Sequence, residues 1–240
     1  MYEVGAVATY RQSLHNDEMH TPNALAFLTP DLAVYSNDHW GVRRTSAVVP
    51  TLENVLGLPG GSLVLLDVRT GRHRTVARGL AFANGVAYHR QKGLLAVAST
   101  SVHTISLYRV HLPEPMGDTA FDEIRLEFLS KTSVDFHPDN LHWSSVDPDV
   151  LLAAGHPYIF HVLAAVRDPF RRKAGSKAVA LRLEDVHLLF ERSLLFDDGH
   201  YFGTASTATE FYTSKTDGIK GLLFSGLYSL DGLLFCREPQ

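Results

Sequence analysis

A recurring pair of short apolar segments, opened three times by an asparagine, constrains this chain more than anything else in it. Asn23-Ala-Leu-Ala-Phe27 leads through a turn to Leu32-Ala-Val-Tyr35. Asn84-Gly-Val-Ala-Tyr88 leads likewise to Leu94-Leu-Ala-Val-Ala98, and Asn140-Leu-His-Trp143 to Val150-Leu-Leu-Ala-Ala154. A weaker fourth copy is Leu194-Leu-Phe196, the break Asp197-Asp198-Gly199, then His200-Tyr-Phe-Gly-Thr204. The three asparagines stand 61 and 56 residues apart, and each interval has room for four strands. Four-stranded units at a long, nearly constant period are what a β-propeller shows. The chain is therefore expected to be all-β, a single propeller domain over residues 1–240.

Alternation and short apolar runs between the copies fill in the strands. Residues 24–28 pair with 32–36, and 62–68 with 73–77 around Arg69-Thr70-Gly71-Arg72. Residues 85–89, 94–99, 104–111 and 124–129 follow, with a proline-rich loop over 112–119. Later pairs are 150–154 with 158–163, 178–183 with 186–190, 193–196 with 200–205, and 221–228 with 233–236. Thr51–Leu56 predicts a short helix, ended by Gly57 and Pro59.

In a propeller the innermost strand of every blade lies along one channel, so matching positions form a ring around its axis. Asn84 and Asn140 occupy such matching positions, and Asp139 precedes Asn140. Ser36-Asn37-Asp38-His39-Trp40 ends the inner strand pair of the first copy with an amide, a carboxylate and an imidazole. Two readings stand at this point. These groups cap turns by bonding nearby backbone, or they converge as oxygen donors for a hard cation. Calcium takes six to eight oxygens at roughly 2.3–2.6 Å, and neutral amides add ligands without mutual repulsion.

Several function classes have no support. Net charge is −4, which gives no case for nucleic acid, and the basic residues of 167–177 read as a solvated loop. No apolar run reaches the roughly 18 residues of a membrane span, and Met1–Val4 lacks the pattern of a signal peptide. There is no Gly-x-Ser-x-Gly elbow, His-Glu-x-x-His helix or phosphate-cradling Gly-x-x-x-x-Gly-Lys. The 13 histidines do not sit at i, i+4 on a helix, and His137, His142, His156 and His161 are each separated by strand or loop. The one cysteine, Cys236, has no partner in this chain for a disulfide.

Ser36-Asn-Asp-His-Trp40, Gly79-Leu-Ala-Phe-Ala-Asn-Gly85 and Pro138-Asp-Asn-Leu141 occur in the order found in paraoxonases, and the chain resembles that family. Ser145-Val-Asp-Pro148, Gly155-His-Pro157 and Leu234-Phe-Cys-Arg-Glu238 extend the resemblance over roughly residues 8–238. The family comprises calcium-dependent arylesterases and lactonases with a six-bladed propeller. The resemblance implies Asn37, Asn84, Asp139 and Asn140 as ligands of a catalytic Ca2+ and Asp38 as a ligand of a second, structural one. It implies a substrate-side catalytic role for His156, and a small-molecule ester or lactone as substrate.

The resemblance also implies a gap. In the family the first blades supply a Glu-Asp pair and two histidines, and those segments precede the start of this chain. About the last four blades are expected, in an amino-terminally shortened relative. Cys236 matches the cysteine that closes the family's ring to the amino-terminal strand. One of two catalytic carboxylates is then missing, so weaker calcium binding and weak hydrolysis are expected. A non-catalytic propeller that binds through its surface is the alternative, and unpaired blade edges would favour self-association. Relatives of this kind commonly enter the secretory path, and the compartment of this chain is left open.

Overall fold

The structure is a computed structural model, and it describes residues 10, 13–42, 46, 48–113, 120–212, 220–229 and 232–237. Four antiparallel sheets follow one another, their strands neighbours in chain order, in a four-bladed β-propeller arrangement. Blade 1 is β1 (Pro22–Phe27), β2 (Leu32–Asn37), β3 (Gly61–Asp67) and β4 (Arg72–Leu80), with helix α1 (Val48–Leu56) between β2 and β3. Blade 2 is β5 (Ala83–His89), β6 (Leu94–Ser99), β7 (Thr104–His111) and β8 (Arg125–Ser133), with the short α2 (Ala120–Glu123) before β8. Blade 3 is β9 (His137–Trp143), β10 (Val150–His156), β11 (Ser176–Glu184) and β12 (His187–Asp197), with α3 (Ile159–Arg167) between β10 and β11. Blade 4 shows three strands among the described residues, β13 (Ala205–Tyr212), β14 (Lys220–Gly226) and β15 (Leu233–Arg237).

The second strand of each of the first three blades is buried along its whole length. Covered on both faces, it reads as a continuous apolar run rather than an alternating one. The core lies between blades. Leu28, Val34, Leu63 and Leu65 pack against Val86, Leu95 and Val97. Ala96, Ile105 and Leu107 meet Leu151, Val179 and Leu181. Ala154 and Ala178 meet Ala205, Ala208 and Phe224.

Buried hydroxyls staple each of the first three blades to the next inner strand or to the segment that leads into it. Ser36 Oγ donates to Asn84 O at 2.7 Å, Thr100 Oγ1 to Pro138 O at 2.7 Å, and Ser176 Oγ to Phe202 O at 2.7 Å.

The inner strands share a second device. Against β2, β1 carries an extra residue between Pro22 and Leu25. Against β6, β5 carries one between Ala83 and Val86, and β9 carries one between Pro138 and Leu141 against β10. In β13 the slip falls between Ala205 and Thr207. A bulge bends its strand and re-aims side chains, and it recurs beside functional sites. Here it falls on Asn23, Asn84, Asp139-Asn140 and Ser206.

Two expected strand pairs are corrected. Of residues 158–163, Tyr158 caps α3 and 159–163 belong to it, so they form no strand. Ile159–Val166 is an apolar stretch free of Gly and Pro, which periodicity alone cannot assign to strand or helix. Residues 193–196 and 200–205 do not form a hairpin either. β12 runs on to Asp197, whose carboxylate accepts the N–H groups of Gly199, Tyr201 and Phe202. That carboxylate-built turn carries the chain into the next blade.

The fourth copy of the repeat therefore starts at β13. Phe82 (φ 55°) and Thr204 (φ 57°) stand just before β5 and β13 in the left-handed region. Their carbonyls accept from Thr100 N and Leu227 N respectively, which matches Ser206 with Asn84. Of the proline-rich loop, 114–119 lie outside the described residues.

Candidate functional site

Asn37, the last residue of β2, is fully buried, and its side chain is well used. Its Nδ2 donates to Glu18 O at 2.7 Å and to Ser62 Oγ at 3.3 Å, and its Oδ1 accepts from Thr21 N at 3.2 Å. A carbonyl oxygen has two lone pairs, so one remains. Asp38 follows, 18% exposed, with Oδ1 2.7 Å from His39 Nδ1. The approach is too bent for a hydrogen bond. His39 is buried, its Nε2 at 2.9 Å from Asn54 Oδ1 and its ring 4.6 Å from that of Phe82. Helix α1 thus holds the chain just past Asn37-Asp38: Asn54 grips His39, and Glu53 accepts the N–H groups of Trp40 and Gly41.

Asn84 sits on the bulge of β5, buried, with Nδ2 donating to Thr100 Oγ1 at 3.1 Å. Its Oδ1 is buried without a hydrogen-bond partner. Gly85 beside it lets two inner strands touch: a Cβ there would stand 2.4 Å from Asp139 O and 2.6 Å from Asn140 Cα. Asn140 Nδ2 donates to Thr207 Oγ1 of blade 4 at 3.2 Å, which turns its carbonyl oxygen the other way. Asp139 is 13% exposed, its Oδ2 3.5 Å from Nε2 of the buried His156. Ser36, Asn84, Asp139 and Asn140 are thus joined blade to blade at one end of the inner strands.

Histidines that spacing alone keeps apart also meet here. His137 lies opposite His156 across the β9–β10 ladder. The ring of His103 stands 3.9 Å from that of His137, edge to face, on a left-handed residue (φ 54°). Burial, and then the neighbouring His103, pull the His137 pKa down to about 4, against a hydrogen bond from Nδ1 to Thr100 O. The ring is therefore neutral at pH 7, with its proton on Nδ1 and the lone pair of Nε2 open. No sequence signal pointed to His103, Glu53 or Asn54, because blade packing, not spacing, brings them in.

The donor set can be tested against a hard cation. Among the described residues no three His, Cys, Asp or Glu side chains cluster to hold a metal, so an ion here would have to draw on amide oxygens as well as carboxylates. The orphaned Oδ1 of Asn84 fits an oxygen-seeking ion such as calcium, as do the carboxylates of Asp139 and Asp38. Asn37 fits with its remaining lone pair.

A family model described as Arylesterase matches residues 2–187. The chain belongs to the arylesterase family. No curated protein matches it. Among solved structures, a gluconolactonase from Xanthomonas campestris is similar at 16% identity and TM-score 0.49, over 91% of this chain and 58% of that one. The Cps50 (Swd1) β-propeller domain of Myceliophteria thermophila has 12% identity and TM-score 0.49, over 92% and 55%. A chain of a nidogen/laminin complex has 12% identity and TM-score 0.49, over 90% and 60%. This arylesterase-family chain thus spans less than two thirds of each of these structures. No helix among its described residues is long and apolar enough to cross a membrane.

Proposed function

We propose that this chain is a calcium-dependent hydrolase of aryl esters or lactones, acting where Asn84, Asp139 and Asn140 meet. The observation that carries the reading is Asn84 Oδ1, a buried acceptor with no donor. Leaving such a group unpaired costs about 1–3 kcal/mol, so a position that keeps it is one that gives it a partner. Asn37, Asn84, Asp139 and Asn140 would hold a catalytic ion and Asp38 a structural one, with the four blades as part of a six-bladed ring. Bound there, calcium supplies positive charge for a substrate carbonyl oxygen and for the negative charge that grows on it during attack.

The chain's own groups do the rest. Asp139 contributes the one carboxylate beside three neutral amides, which keeps the centre net positive. His156 Nε2 faces Asp139 Oδ2 and orients it. His137, neutral and fixed by Thr100 O, offers Nε2 as acceptor for a proton from the attacking water. A second reading, a propeller that binds without turnover, is favoured by the three hydrogen bonds that already engage the Asn37 amide.

Thermal melts with calcium and with chelator, run beside phenyl acetate and γ-lactone hydrolysis, test both. A hundredfold excess of calcium over its dissociation constant adds about 2.7 kcal/mol, and Asn84→Ala should abolish that gain together with hydrolysis. A melt indifferent to calcium refutes the centre. A calcium-dependent melt without hydrolysis selects the second reading.

A further inference from the structure

Helix α1 is turned the wrong way round for a surface helix. Its buried residues are Pro50 and Glu53, while Val48, Val49, Leu52, Val55 and Leu56 are exposed. The cause is local. Glu53 Oε1 accepts Trp40 N–H at 2.9 Å and Oε2 accepts Gly41 N–H at 3.2 Å. Gly60 leaves room for this, since a Cβ there would stand 1.6 Å from Oε1. With its acid turned inward, the helix shows its apolar residues to the outside, and an apolar patch displayed at such a cost marks a binding surface.

Part of that patch encloses space. Trp40, Val49, Leu52, Leu58 and Pro59 wall a cavity of about 450 Å³, within the size range of small-molecule sites. Arg78 stands at its rim, 70% exposed, in a loose ion pair with Glu18, its Nη2 3.9 Å from Oε2. Glu18 gives that oxygen to the Thr75 hydroxyl. Glu53, the one acid among the described residues of the wall, has both oxygens on backbone N–H groups. An apolar wall with an arginine at its mouth and its own acid already bonded is complementary to an apolar anion.

The geometry points to a binding site for an amphipathic carboxylate, its alkyl or aryl part against Trp40, Leu52 and Leu58 and its carboxylate on Arg78. The cavity backs onto the proposed centre through Ser62, which lines it and whose Oγ accepts from Asn37 Nδ2 at 3.3 Å. An acid with an apolar group is what ester or lactone hydrolysis releases. For the source of the acid the inference rests on the hydrolase reading, and for its binding on the cavity alone.

Octanoate, with octan-1-ol and octylamine beside it, is the probe, and tryptophan fluorescence is the readout. The chain has two tryptophans, Trp40 and Trp143, so Trp40→Phe assigns the signal. Octanoate should give a saturable change at or below about 1 mM. It should bind up to about fivefold tighter than octanol, the worth of an exposed ion pair, with octylamine weakest. Arg78→Gln should bring octanoate level with octanol, and Leu52→Asn should weaken both, in variants whose melts show them folded. Equal binding of octanoate and octanol, a preference that survives Arg78→Gln, or a signal that survives Trp40→Phe overturns the proposal. Octanoate is titrated into Asn84→Ala as well. Binding retained there shows that the cavity acts independently of the centre, and an unsubstituted chain that binds octanoate but hydrolyses neither phenyl acetate nor γ-lactone upholds the cavity and removes only the proposed source of the acid.

Discussion

Gly85→Ala tests whether the inner strands meet as described. Gly85 is not in the left-handed region, so its backbone accepts an alanine. Freed of any clash, the exchange would stabilise by about 0.4–1 kcal/mol through the unfolded chain. The structure predicts the opposite sign. The new methyl carbon would stand 2.4 Å from Asp139 O, 2.6 Å from Asn140 Cα and 2.9 Å from Leu141 N, all of them backbone atoms that cannot swing aside. Ordinary contact begins near 3.4 Å, so β5 and β9 must part by about 1 Å. Overpacking of this kind costs about 1–3 kcal/mol. For a chain of this size each kcal/mol is worth roughly 2–4 °C, so the melting midpoint should fall by about 2–12 °C. The displaced atoms belong to two proposed ligands, so the calcium-dependent rise in the midpoint should shrink with it. Melts followed by near-ultraviolet circular dichroism, with calcium and with chelator, read both effects. A midpoint unchanged or raised would mean that Asn84 and Asp139 do not adjoin, and the candidate site would go with it.

Glu53→Ala leaves the N–H groups of Trp40 and Gly41 without their acceptor and should cost about 2–4 kcal/mol, read as a midpoint lower by roughly 4–16 °C; a fall under about 2 °C would show that Glu53 does not hold the loop. Stability should also decline on acidification through His137, whose pKa is about 4 in the folded chain and near 6.5 when unfolded. The unfolded chain binds the proton first, so this contribution is complete above about pH 6.5 and is lost as pH falls toward 4. Partial exposure reduces it to about 2 kcal/mol, and urea titrations at pH 7.5, 6 and 5 should lose that slope in His137→Gln.

The strand pairs of blades 1 to 3 were legible because their second strands are covered on both sides and had to be apolar throughout, as Leu94–Ser99 and Val150–His156 are. α3 was not, because Ile159–Val166 has the composition of a buried strand and owes its form to the connection it makes. Asp197-Asp198-Gly199 looked like a hairpin because Asp-Gly breaks often are; here the Asp197 carboxylate folds the chain toward the next blade instead. In the candidate site, Asn84 and Asn140 showed through their period and Asp139 as the neighbour of Asn140. His137 and His156 were visible as residues but not as neighbours, since a ladder partner has no fixed spacing in sequence.

The bulges explain why an asparagine marks each copy at all. In a regular inner strand, alternation would send successive side chains to opposite faces, and one polar residue per strand could reach the end of the channel. An extra residue at Asn84-Gly85 and at Asp139-Asn140 breaks that alternation where the strands of blades 2 and 3 touch. Two adjacent residues, Asp139 and Asn140, can then serve the same end of the molecule, one facing His156 and the other Thr207. Blade 1 has Asn23 on its bulge and blade 4 has Ser206, so the backbone device is common to all four while its side chain varies. The repeat in the sequence is thus a record of a backbone irregularity, and the chemistry of each position was chosen on top of it. Where the bulged residue is Asn84 it keeps an unpartnered oxygen in a buried place; the aligned Ser206 finds a backbone partner in Ser225 O at 3.4 Å. On the proposed reading, that difference separates a bulge that holds a ligand from one that only shapes the blade.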